Sequence, residues 1–165
     1  TFMKRIYSIK LKLAFLLVCA MGFFSSCLKA GLEEIENSNL CEITSITFEY
    51  RWLSQNANGY DVLNRQQLTL SNNVPDKDNR IDFIITVPAA NNSGEFKTAV
   101  RNTVSLDRLY LTSIISPAAK ITPLDDAPAM GTPASFEIGK EYKYQVTAAN
   151  GATKTFVLCI VDFIK

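Results

Sequence analysis

The sequence predicts an all-β sandwich of about seven strands, preceded by an N-terminal leader. Short apolar runs alternate with polar residues at a period of two, which is typical of strands that bury one face. Turn-forming residues separate these runs, and no segment after the leader shows a long helical period. This combination favours two packed sheets over a helical or mixed architecture.

The N-terminus indicates a secretory signal peptide over residues 1–26. A basic stretch leads into an apolar run from Leu13 to Phe24, which is shorter than the roughly 20 residues of a membrane-spanning helix. Ser25-Ser26-Cys27 follows at the cleavage position. This ending resembles the signals of bacterial lipoproteins, particularly those of Bacteroidota, and implies lipidation of Cys27. The alternative is an ordinary signal peptide that leaves Cys27 unmodified.

Residues 27–40 are expected to form the lipidated cysteine and an acidic tether. A short amphipathic helix at Leu32–Ile35 is the alternative, although isolated helices of this length are marginal in water. The chain has 17 basic and 16 acidic residues, and removal of the basic leader leaves a negatively charged mature chain. We therefore expect no nucleic-acid partner, because no basic stripe remains to neutralise phosphates.

The mature domain is predicted to begin at residue 41 and to extend to residue 165. Apolar residues alternate with polar ones from Ile46 to Trp52, which predicts a first strand with Trp52 on its buried face. Asn56–Gly59 predicts a turn, and Leu68 and Leu70 suggest a short second strand.

The middle of the domain predicts three further strands. Residues 81–87 alternate and end at Pro88, residues 109–115 form an apolar run, and residues 121–124 suit an edge strand because a proline lies within them. Residues 91–106 are open to two interpretations, a loop or a short helix.

The C-terminal residues carry the strongest hairpin signal. Alternating residues from Tyr142 to Val146 and from Phe156 to Ile160 flank Asn150-Gly151, a dipeptide that favours tight hairpin turns because it accepts positive φ angles.

This region also carries a family resemblance. The motif elements are Ile115-Ser116-Pro117, Tyr144-Gln145-Val146-Thr147-Ala148 and the Asn150-Gly151 turn. They resemble the Ig-like domains of unknown function in Bacteroidota surface lipoproteins, so the resemblance implies an Ig-like β-sandwich. It also implies lipid anchoring in the outer membrane with exposure at the cell surface.

The resemblance suggests two functions. Such domains accompany polysaccharide-uptake systems, so the first expectation is a non-enzymatic binding or adhesion module for glycans. The alternative is a structural spacer or accessory subunit of an outer-membrane transport complex. Both are expectations by analogy with a fold, which does not by itself specify a function.

The composition argues against catalysis and bound cofactors. The chain contains no histidine, which excludes Ser-His-Asp triads and most transition-metal sites. Asp76, Asp78 and Asp82 resemble a calcium loop only loosely, because Arg80 stands where an oxygen ligand is needed. We expect no enzyme activity, no metal and no cofactor. The remaining acidic pairs, Asp125-Asp126 and Glu137/Glu141, lie in loop-like sequence.

Aromatic side chains are the candidate glycan ligands. Tyr60 follows the Asn-Gly turn and is expected to be exposed. Tyr110 is out of phase with Leu109 and Leu111, so either Tyr110 or the two leucines must face outward. Tyr60 and Tyr110 are therefore the predicted ligand-binding residues.

Cys41 and Cys159 offer one intramolecular disulfide. In Ig-like sandwiches the first and last strands commonly lie side by side, and secretion permits oxidation. The equal alternative is two small buried thiols that never meet.

Overall fold

The computed structural model of the protein describes residues 38–165. The predicted signal peptide, Cys27 and all but the last three residues of the predicted tether lie outside this range. The strands within it are β1 (Ile43–Gln55), β2 (Asp61–Gln67), β3 (Thr69–Leu70), β4 (Arg80–Thr86), β5 (Leu109–Ile115), β6 (Lys120–Pro123), β7 (Pro133–Ala134), β8 (Glu141–Thr147) and β9 (Thr153–Ile164). A short helix, α1 (Thr98–Thr103), and a 3₁₀ helix (Leu106–Arg108) precede β5.

The strands form two sheets, which confirms the predicted all-β sandwich. One sheet has four strands in the order β2-β1-β5-β7, and the other has five in the order β3-β4-β9-β8-β6. Neighbouring strands are antiparallel except for β4 and β9, which run parallel. If the two-residue strands β3 and β7 are set aside, seven strands remain.

The hydrophobic core lies between the sheets. Phe48 of the four-stranded sheet packs on Phe83 of the five-stranded sheet, with ring centroids 5.5 Å apart, and on Phe136 at 5.0 Å. The inward residues of β8 and β9, including Tyr144 and Phe156, are fully buried. Residues 37–165 form one compact unit that contains this whole core, so they have what an independent domain needs.

Several predicted elements are confirmed, and others differ. The alternation from Ile46 onward forms β1, and the hairpin around Asn150-Gly151 joins β8 to β9 with Gly151 at a φ of 90°. The predicted second strand is wrong in extent, because β2 already begins at Asp61 and only its continuation β3 includes Leu70. The uncertain segment contains the short helix α1.

Strand β1 extends beyond the sandwich. Its pairing with β5 ends where Glu49 faces Tyr110, yet β1 continues to Gln55 while paired with β2 alone. We call this projecting hairpin, residues 50–67, the arm. On its inner side, Tyr50 stacks on Trp52 at 6.0 Å and its hydroxyl lies 3.0 Å from the Thr103 hydroxyl oxygen. The last residue of α1 therefore contacts the base of the arm.

Within residues 38–165, no helix has the length and hydropathy of a membrane span.

Candidate functional site

A groove beside the part of β1 that extends past β5 brings aromatic and basic residues together. It has a volume of about 200 Å³. The residues that line it come from β1, β2, β5 and the 3₁₀ helix: Tyr50, Arg51, Trp52, Leu53, Leu63, Arg108 and Tyr110. We call it the arginine groove.

Tyr110 forms the floor of the arginine groove. Leu109 and Leu111 are buried, so the alternation of β5 directs Tyr110 to the outer face. The guanidinium carbon of Arg51 lies 4.3 Å from the centre of the Tyr110 ring, which is a cation–π contact. One face of this ring is therefore occupied by arginine, which leaves its edge and hydroxyl to meet a ligand.

Glu49 fixes the orientation of Arg51. Its Oε2 accepts hydrogen bonds from Arg51 Nε at 3.0 Å and from Arg51 Nη2 at 2.8 Å. Its other oxygen lies 3.8 Å from Nη1 of Arg65, which is mostly exposed. One carboxylate is thus shared between two guanidinium groups, so this part of the sheet carries excess positive charge.

Arg108 adds a further positive charge at the end of the 3₁₀ helix. Its side chain is exposed, and within residues 38–165 it takes part in none of the salt bridges that engage Arg51, Arg65 and Arg80. A guanidinium with free donors beside a second, oriented guanidinium is suited to binding a carboxylate or sulfate group.

Tyr60 lies at the tip of the arm and is 70% exposed, as predicted. Asn56 Oδ1 accepts hydrogen bonds from the backbone amides of Asn58 and Tyr60, both at 3.0 Å, which fixes the turn. Tyr110 faces Glu49, and Gln55, which pairs with Asp61 next to Tyr60, lies six positions further along β1. At about 3.3 Å per residue the two tyrosines lie roughly 20 Å apart along the strand, so they do not share one site.

A second and larger cleft, of about 380 Å³, lies where the chain crosses from β2 to β3. Its lining is apolar or polar without charge: Ile46, Gln66, Gln67, Leu68, Thr69, Leu70, Asn73 and Pro88. It offers little to orient a ligand, and we prefer the smaller arginine groove because its charged groups converge.

The predicted disulfide is not formed, and its premise is wrong. Both Cys41 and Cys159 are buried free thiols. Strands β1 and β9 belong to different sheets, so the first and last strands are not neighbours. Cys41 packs in the core between the sheets, whereas Cys159 pairs with Asp82 and Glu141 on the outer face of the five-stranded sheet. The sheet itself therefore separates the two sulfur atoms.

The acidic residues considered for calcium serve the turn before β4. Asp76 Oδ1 accepts hydrogen bonds from the backbone amides of Asp78 and Arg80, both at 2.8 Å. Asp82 accepts from Arg80 Nε at 2.8 Å. In residues 38–165 no group of three or more acidic or sulfur-bearing side chains could hold a metal ion.

The two other acidic pairs considered from the sequence, Asp125-Asp126 and Glu137/Glu141, are engaged by basic residues. Glu141 pairs with Arg80 at 2.6 Å, Asp125 pairs with Lys143 at 3.5 Å, and Lys140 bridges Asp126 and Glu137. The hydrogen bond from Lys140 lowers the pKa of Asp126.

Two buried tyrosines on β8 also have structural roles. The Tyr144 hydroxyl donates to the Pro128 carbonyl at 2.8 Å, and burial raises the pKa of Tyr144. The Tyr142 hydroxyl accepts from the Glu137 amide at 2.8 Å, and burial likewise raises the pKa of Tyr142.

Sequence reasoning singled out Tyr110, which lines the arginine groove, but not Arg51 and Arg108. Arg51 occupies an outward position of β1 in the alternation that places Trp52 inward, so its face was foreseeable. The contact between Arg51 and Tyr110 depends on the register between β1 and β5, and the position of Arg108 depends on the 3₁₀ helix. The sequence pattern specifies neither the register nor this helix.

Comparison with known proteins gives two matches. Residues 43–159 match the family described as DUF5018-related. A crystal structure of a Bacteroides fragilis protein described as secreted is 32% identical, with a TM-score of 0.66, and the match covers 77% of this chain and 98% of that one. Among curated proteins, none shows significant similarity.

Proposed function

This chain belongs to the DUF5018-related family, and we propose that it is a surface-exposed, non-enzymatic lipoprotein that binds glycans. Its lipid anchor is Cys27, and its location is the outer membrane. The leader sequence and the Bacteroides fragilis relative, which is described as secreted, support export. The arginine groove supports binding, and it carries the proposal because it gathers exposed donors and an aromatic ring in one concave place.

The chemistry of the groove favours acidic sugars. Arg51 is already oriented by Glu49 and rests on Tyr110, so little conformational entropy is lost when its free donors meet a ligand. Arg108 supplies a second fork of donors to a carboxylate or sulfate. Leu53 and Leu63, which are 65% and 64% exposed, flank the groove and offer apolar contact to the sugar ring.

Affinity measurements on residues 37–165 test this proposal. The probes are a polyuronate, a sulfated glycosaminoglycan and a neutral glucan, each measured by calorimetry. We expect binding to an acidic polymer and little to the neutral one, and weaker binding as salt is raised.

The matched variants are Arg108→Gln in the groove and Lys77→Gln on an exposed loop outside it. Loss of one charge-assisted contact should weaken binding about tenfold to a hundredfold for Arg108→Gln, while Lys77→Gln binds as the parent. Equal affinities of the two variants, or binding to neutral glucan alone, would contradict the acidic-glycan proposal.

The anchor has its own experiment. Cys27→Ala in the full chain should release the protein from the membrane fraction or leave its leader uncleaved, since two or more acyl chains are needed for stable anchoring. Mass spectrometry of the mature N-terminus should show a lipidated Cys27. An unmodified N-terminus at another residue would contradict lipidation.

A second candidate function is a spacer or accessory subunit of an outer-membrane transport complex. The observation that favours it is the exposed apolar surface of the arm, where Leu53, Val62 and Leu63 face solvent, since such surfaces often mark protein contacts. Co-purification of a transporter that is lost with Leu53→Ser, together with absent glycan binding, would favour this second function.

A further inference from the structure

The free edge of β2 is self-complementary, and we propose that two copies of this chain pair through it. The proposal concerns the edge and does not depend on which ligand the arginine groove binds. Pairing of two β2 strands would join the two four-stranded sheets into one continuous sheet of eight strands.

β2 is the longest of the strands that end a sheet in the described part of the chain. It has seven residues, whereas β3 and β7 have two each and β6 has four. β7 begins with Pro133 and β6 ends with Pro123, and proline is a common protection of sheet edges. β2 contains neither proline nor lysine.

The register with β1 shows which backbone groups face the free edge. Leu68 N donates to Phe48 O and Asn56 N donates to Tyr60 O, both at 2.9 Å. Even-numbered residues of β2 therefore bond to β1, because hydrogen-bonded pairs alternate along an antiparallel ladder. The amide and carbonyl groups of Asp61, Leu63 and Arg65 consequently point away from the sheet and are available to a further strand.

One antiparallel register matches the side chains of two copies. With Leu63 opposite Leu63 of the second copy on the twofold axis, Asp61 faces Arg65 of the second copy, and the same pair recurs on the other side of the axis. Each opposite-charge pair across strands is favourable. A register centred on Arg65 places two arginines opposite each other, and one centred on Asp61 places two aspartates opposite each other.

Two features of a single copy are energetically unfavourable, an exposed pair of leucines and a facing pair of arginines, and this register improves both. Leu53 pairs with Leu63 across β1 and β2, and both are exposed. In the dimer these residues form one row of four leucines across the seam. Arg51 directly faces Arg65, which is an unfavourable like-charge pair, and the second copy brings Asp61 beside Arg65.

Sedimentation velocity of residues 37–165 over a concentration series tests the pairing. We expect a reversible monomer–dimer equilibrium. A protein that stays monomeric at every concentration would overturn the proposal and would leave this edge to a different partner.

Charge reversal tests the ion pairs. Arg65→Asp and Asp61→Arg each create like-charge pairs on both sides of the axis, so each should weaken dimerisation about tenfold or more. The double variant restores opposite charges and should recover the dimer. Lys77→Asp, which changes an exposed charge outside the edge, is the matched control. Failure of the double variant to recover, with an unchanged melting temperature, would overturn the proposed pairing.

Cross-linking tests the register. Directly paired residues have Cα atoms about 5.5 Å apart, within the range for a disulfide. Leu63→Cys should therefore form a disulfide-linked dimer under mild oxidation, whereas Gln67→Cys, four residues from the axis, should not. Equal cross-linking of the two variants would contradict a seam centred on Leu63.

Discussion

The two halves of β1 share one alternation of inward and outward residues but differ in their surroundings. The half from Ile43 to Glu49 lies between β2 and β5 for part of its length and buries Ile46 and Phe48 in the sandwich core. The half from Tyr50 to Gln55 is paired with β2 alone, and its inward residues Tyr50 and Trp52 are only half-buried.

This difference separates core packing from surface exposure along a single strand. Inward residues of the first half hold the two sheets together, whereas outward residues of the second half, Arg51 and Leu53, line the arginine groove. The part of β1 that leaves the sandwich keeps its pairing with β2 while it exposes both charge and apolar surface.

The largest change in the free energy of unfolding is expected in the half of β1 from Ile43 to Glu49. Phe48→Ala should lower the free energy of unfolding of residues 37–165 by about 3–5 kcal/mol, because it empties a fully buried site between Phe83 and Phe136. Urea denaturation measures this change. A cost below about 1 kcal/mol would show that this half does not hold the core.

A smaller change in the free energy of unfolding is expected in the arm. Trp52→Ala should cost about 2 kcal/mol, since Trp52 loses stacking on Tyr50 and contact with Phe96 but is only half-buried. Trp52→Phe, which keeps an aromatic ring, is the control and should cost less. If Trp52→Ala costs as much as Phe48→Ala, the two halves of β1 are energetically alike.

Gly59→Ala should cost about 1 kcal/mol in the same denaturation assay. Gly59 has a φ of 78°, and an added Cβ meets no atom within 4 Å. The cost therefore comes from the left-handed backbone alone. A neutral substitution would mean that the turn at the tip of the arm relaxes freely.

The smallest change in the free energy of unfolding is expected at Tyr60, which follows Gly59. Tyr60→Ala should change the free energy of unfolding by less than about 0.5 kcal/mol, because the ring is 70% exposed. A larger loss would show that Tyr60 packs against the arm. If Tyr60 contributes to glycan binding, the variant should weaken binding while its stability stays unchanged.

The sequence predicted the elements with strong alternation or a specific turn. β1 and the β8–β9 hairpin follow from period-two patterning and from Asn150-Gly151. The extent of β2 was not predicted, because this strand ends a sheet and most of its side chains are exposed. Its sequence therefore shows no apolar face. Its pairing is set by the turn that precedes it.

The candidate site was only partly predictable for a related reason. Alternation decided that Tyr110 faces outward, because Leu109 and Leu111 are apolar neighbours. The meeting of Arg51, Arg108 and Tyr110 needs the register between strands that are far apart in sequence. The disulfide prediction was wrong because side-chain direction within a strand, and not only strand position, decides whether two sulfur atoms can meet.

The chain enters the domain at the end opposite to the tip of the arm. Asn150 N donates to Ser38 O at 3.2 Å, so the first described residue sits beside the β8–β9 turn. β1 then runs 13 residues to the opposite end, about 40 Å at 3.3 Å per residue. The tip of the arm therefore lies at the end of the domain remote from the point where the chain enters it.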